Sequence, residues 1–122
     1  MLVGLSKADI RARDYFENIT SLEGRLITDS SFGDNITEDI RDKARKIIGH
    51  WEEYISLEGA SIQQRDYLVA QHVYSLGAWL DEEISFEKLF RGLNNTTRGD
   101  LSENQRKKVQ EYLEKYRFPK RD

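Results

Sequence analysis

Apolar residues recur along this chain at spacings of three and four, the period that lays one stripe along an α-helix. Ala12, Tyr15, Phe16, Ile19, Leu22 and Leu26 share such a stripe. They predict a helix over about residues 7–27, opened by the capping-box-like Ser6-Lys7-Ala8-Asp9. Thr28 to Asn35 collects turn-forming residues around Phe32, an apolar anchor. Asn35 or Thr37 can cap a second helix over 36–57, whose core positions are Ile40, Ala44, Ile47, Ile48, Trp51 and Ile55. Glu58-Gly59-Ala60-Ser61 closes it and caps a third helix over 62–80. From Val73 to Leu80 that helix is apolar around most of its girth, the mark of a central, covered element. Ser85 caps a short piece over 86–93, with Phe86, Leu89, Phe90 and Leu93 on one side. Ser102-Glu103-Asn104-Gln105 is a capping box for a last helix over 103–117, buried through Val109, Tyr112, Leu113 and Tyr116. The single proline, Pro119, interrupts none of these. The pattern therefore predicts an all-α fold, one domain over 1–122, as a bundle of four or five helices. The count depends on whether the fourth is separate from the third.

Composition adds limits. A chain of 122 residues can bury a core of its own. The 38% apolar and 34% charged content suits a small body with many charged helical faces. Cysteine is absent, which excludes disulfides, thiolate metal sites and thiol nucleophiles. With no basic leader and no apolar run near the roughly 18 residues that span a bilayer, a cytoplasmic, membrane-free setting is expected. Two histidines without cysteine argue against a structural zinc site, and phosphate-cradling glycine loops are missing, so neither metal nor cofactor is expected. The net charge of −3 disfavours nucleic acid, although residues 103–122 carry a local positive excess.

Two constellations carry candidate chemistry. Arg65 and His72 lie two turns apart on one helical face, where an arginine could hold a phosphate ester and an imidazole could exchange a proton with it. The arrangement resembles the Arg-x4-6-His signature of HEPN-type ribonucleases, and Arg45 to His50 also fits it. The resemblance implies RNA cleavage by a homodimer with the two motifs in one cleft. Acidic residues form the second group: Glu52, Glu53 and Glu58 on the second helix, and Asp81, Glu82, Glu83 and Glu87 after the third. They lack the paired spacing of a magnesium or di-iron site. Read as a negative patch, Asp81 to Glu87 would meet a basic protein surface, flanked by Asn94, Asn95 and Arg98 of the polar loop Gly92 to Gly99.

The leading expectation is thus a non-enzymatic protein-binding module of inhibitor, immunity or adaptor type, occluding a site on its partner. Small proteins by which phages and mobile elements block host defences have the same profile. The ribonuclease, or an inactive relative of it, is the alternative. A DNA-binding or structural phage component using the basic C-terminal segment comes third.

Overall fold

The computed structural model describes residues 7–30, 36–57, 66–94 and 101–116. Five helices form in chain order: α1 (Lys7–Asp29), α2 (Glu38–Ile55), α3 (Asp66–Leu80), α4 (Phe86–Asn94) and α5 (Glu103–Lys115). Among the described residues there is no strand. The all-α bundle expected from the periodicity is the observed architecture, with α4 a separate helix.

Local chemistry sets the boundaries. Thr37, rather than Asn35, caps α2: its hydroxyl accepts from the Ile40 backbone N–H at 3.2 Å, so the helix begins at Glu38 and not at 36. At the far end the Ser56 N–H bonds to the Glu53 carbonyl, and α2 stops at Ile55, two residues before the expected 57. The α1 helix runs two residues past its expected end. Ser102 and Gln105 close the reciprocal capping box of α5, with bonds of 3.1 and 2.9 Å. The expected caps at Ser6 and at Glu58 to Ser61, the Phe32 anchor and residues 62–65 of the third helix lie outside the described residues.

The turn from α3 to α4 is a Schellman closure. The Glu82 N–H bonds to the Trp79 carbonyl at 3.0 Å and the Glu83 N–H to the Ala78 carbonyl at 2.8 Å. Glu82 itself takes a left-handed φ of 62°, a position that favours glycine. Arg41 of α2 reaches the same end of α3, donating to the Leu80 carbonyl while its guanidinium lies 5.9 Å from the Trp79 ring centre.

The pairs α1 with α2 and α2 with α3 pack antiparallel. Tyr15 meets Tyr54 while Asp29 meets Lys43 across α1 and α2. Trp51 meets His72 while Arg41 meets Leu80 across α2 and α3. The α3 helix is central, touching α2, α4 and α5, and from Gln71 to Leu80 only Tyr74 escapes full burial. Ile48, Trp51, Tyr54, Val73, Leu76 and Leu89 are wholly enclosed. Each such large side chain contributes about 1.5–3 kcal/mol by leaving water. Phe16 meets Trp51 edge-on at 5.3 Å, and Trp51 meets Tyr54 likewise at 5.8 Å.

Two stripe residues fall outside this interior: Leu22 is 37% exposed and Ile55 38%. The cause is geometric. The α1 helix leans chiefly on α2, so only a narrow part of its stripe is covered. Leu22 lies on the edge of that part.

Close approach of α5 to α3 depends on Gly77, where a Cβ would intrude into the Tyr112 ring. Gly77→Ala gains helix propensity but forces Tyr112 and α5 away. We expect a net loss of about 1–3 kcal/mol in chemical denaturation, and an unchanged or raised midpoint would show that α5 is free to shift.

Candidate functional site

An acid sits in register with the core stripe of α1. Ala12, Phe16, Ile19, Glu23 and Leu26 follow one another at steps of four and three, which turns the Glu23 carboxylate inward between α2 and α3. It is 3% exposed. Its Oε2 accepts from Trp51 Nε1 at 2.9 Å. His72 Nδ1 lies 2.8 Å from Oε1 and 2.9 Å from Oε2. An ionised carboxylate only accepts, so in that state the His72 proton sits on Nδ1 and is donated. The Trp51 ring stands edge-on to His72 at 5.4 Å. One side chain from each of three helices thus meets in a dry polar knot.

The α1 and α2 faces also form a half-open groove of about 220 Å³. Leu22, Leu26 and Ile47 line it, with Arg25 and Lys46 on opposite walls. Lys43 is drawn to Asp29 at 3.6 Å and to Asp39 at 3.4 Å. His50 completes the lining and its Nδ1 lies 3.1 Å from the Tyr15 hydroxyl. That hydroxyl donates to Glu53 at 2.5 Å. Burial first, and then the Glu53 carboxylate, push the Tyr15 phenol well above its ordinary value.

At the other end, acids after α3 hold α5. Asp81 accepts from Lys115 at 2.8 Å and from the Tyr116 hydroxyl. Glu83 accepts from Lys108 at 3.1 Å and from the Tyr112 hydroxyl at 3.4 Å. Burial alone would raise the Asp81 carboxyl, but the Lys115 and Tyr116 hydrogen bonds and the nearby lysine charges outweigh it and hold it below its ordinary 3.8. Burial, then the Asp81 hydrogen bond, raises the Tyr116 phenol.

The residues singled out by sequence divide accordingly. His72 is 6% exposed and engaged by Glu23, while Arg65 lies outside the described residues. Asp81 and Glu83 spend their charge on α5, so reversing them would disturb that helix as well as any patch. Glu87 pairs with Arg91 at 2.7 Å, and Glu82 is exposed with no ion pair among the described residues. Asn94 is exposed, its amide turned back to the Phe90 carbonyl at 2.8 Å. Asn95 and Arg98 lie outside the described residues. The basic C-terminal segment offers less free charge than its composition implies, because Lys108 and Lys115 answer the acids after α3. Glu23 is not among the residues singled out, although its place in the α1 stripe is visible in the sequence. No helix among the described residues is long and apolar enough to cross a membrane, and no cluster there gathers three or more metal-ligating side chains.

Glu23→Ala leaves two buried donors unmet and should cost about 3–5 kcal/mol. Glu23→Gln keeps an acceptor for Trp51 and should cost clearly less; equal losses in denaturant titrations would show that only volume matters at this position. The α5 contact has its own pH window. The Asp81 pKa is lower in the folded chain, so its contribution is complete above the ordinary 3.8 and disappears as pH falls through the folded value. Asp81→Asn should therefore lower Tm at neutral pH, with the gap from wild type closing in acid below 3.8. A gap independent of pH would count against this assignment.

No protein-family model, curated protein or solved structure matches the chain.

Proposed function

We propose that this chain is a non-enzymatic protein-binding module of inhibitor, immunity or adaptor type, which acts by covering a site on a partner protein. The observation that carries the reading is Glu82. It holds a left-handed conformation at the tip of the α3–α4 turn, where glycine would be more stable, and its exposed carboxylate has no ion pair among the described residues. Strain retained at an exposed, charged position fits a contact residue better than a structural one. Glu87 follows in the chain, exposed in the first turn of α4, while Asp81 and Glu83 on either side of Glu82 anchor the turn to α5. A basic surface on the partner is the complement of this end. A cytoplasmic partner, and an origin in a phage or mobile element, belong to the same proposal.

The ribonuclease alternative needs an imidazole that meets a phosphate. His72 is buried and held by Glu23, so the support lies with binding. Two measurements separate the readings. Purified protein should leave RNA intact, and His72→Ala should lower Tm rather than abolish a nuclease activity. Affinity capture from the source cell should yield a partner that is lost with Glu82→Lys and Glu87→Lys together, at unchanged Tm. Glu82→Gly should raise stability by about 1 kcal/mol and still weaken capture. A partner retained in full by both variants, or RNA cleavage that depends on His72, would overturn the proposal.

A further inference from the structure

The groove between α1 and α2 shares no lining residue with the α3–α4 turn, and its chemistry is of the opposite kind. Its floor is apolar, built by Leu26 and Ile47 with Leu22 left 37% exposed at the lip. Arg25 on α1 and Lys46 on α2 face each other across it, both solvent-exposed. Neither has a hydrogen bond or ion pair among the described residues, whereas the neighbouring Lys43 is tied to Asp29 and Asp39. On α2 the other lysine and arginine side chains, Arg41, Lys43 and Arg45, all find acidic partners, so Lys46 beside the apolar floor is the one that does not among the described residues.

We propose that this groove is a second binding site, which takes an acidic amphipathic helix of a partner protein. An apolar side chain of that helix fills the space above Leu26 and Ile47, and carboxylates on either side of it meet Arg25 and Lys46. The volume of about 220 Å³ suits one or two such side chains, and the paired parallel walls suit a helix lying along the groove. The surroundings exclude broader anionic surfaces. Asp29 lines the groove, and Asp14, Glu17 and Asp39 stand exposed on the same two helices, so a flat anionic membrane would meet repulsion beyond the groove itself. Within the groove, Arg25 and Lys46 with Lys43 already tied to Asp29 and Asp39 fall short of the run of charges that a phosphate backbone requires.

The test is a titration of the full chain, labelled with nitrogen-15, with a synthetic helix of about 15 residues carrying leucines at i, i+4 and i+7 flanked by glutamates. A second peptide keeps the leucines and replaces every glutamate by lysine. The acidic peptide should shift the amides around Leu22, Arg25, Ile47 and His50, and added salt should weaken it. Arg25→Glu with Lys46→Glu should reduce its affinity by about tenfold at unchanged Tm, and this double variant should prefer the lysine peptide. Shifts elsewhere, equal response to both peptides, or the same shifts produced by anionic phospholipid vesicles would overturn the inference. Glu82→Lys with Glu87→Lys should leave peptide binding intact. Failure of the groove with capture through Glu82 preserved removes this inference alone, and the converse removes only the proposed function above.

Discussion

The fold turns on one buried carboxylate. Glu23 enters an apolar interior where an unpaired charge would be prohibitive, and it is tolerated because an indole N–H and an imidazole nitrogen converge on it. Apolar stripes alone let neighbouring helices rotate and slide at small cost, whereas a hydrogen-bonded acid accepts one arrangement. That matters most for α1, which has only α2 as a substantial packing neighbour. Through Glu23 it also gains a hold on α3, and the three helices acquire a common register.

Periodicity made the helices legible because burial in a bundle is chiefly a question of azimuth. The caps at Thr37, Ser85 and Ser102 were legible too, since a hydroxyl one residue before an amphipathic run has few other uses. The failures share a different logic. Leu22 and Ile55 lie on the right stripe but at its margin, and whether a marginal residue is covered depends on how many neighbours the helix has, which a linear pattern does not contain. Glu23 lies at the centre of the stripe, a place that apolar periodicity alone does not assign to an acid. A chain read residue by residue cannot know that Trp51 and His72 arrive at the same point. The candidate site suffers most from this blindness. Asp81 and Glu83 looked like free surface charge, and only the approach of α5 reveals their lysine and tyrosine partners within the chain.

Charge on this molecule therefore has two lives. Most acids and bases of α2, and those at the junction of α3 with α5, answer one another and contribute to shape. Glu82, Arg25 and Lys46 are among those that do not, at parts of the surface where the fold leaves electrostatic potential unspent. The two parts differ in sign and lie on different helices, so one small body offers two chemically distinct faces.

The junction of α3 and α5 differs in kind from the knot around Glu23. Lys108 and Lys115 are solvated and their pairs with Glu83 and Asp81 can be screened by mobile ions, while the Glu23 contacts are shielded from them. Rising ionic strength thus acts selectively, loosening the last helix while the first three keep their mutual hold. The molecule carries a built-in seam, and under electrolyte stress amide protons of α5 would open to exchange with solvent before those of α2.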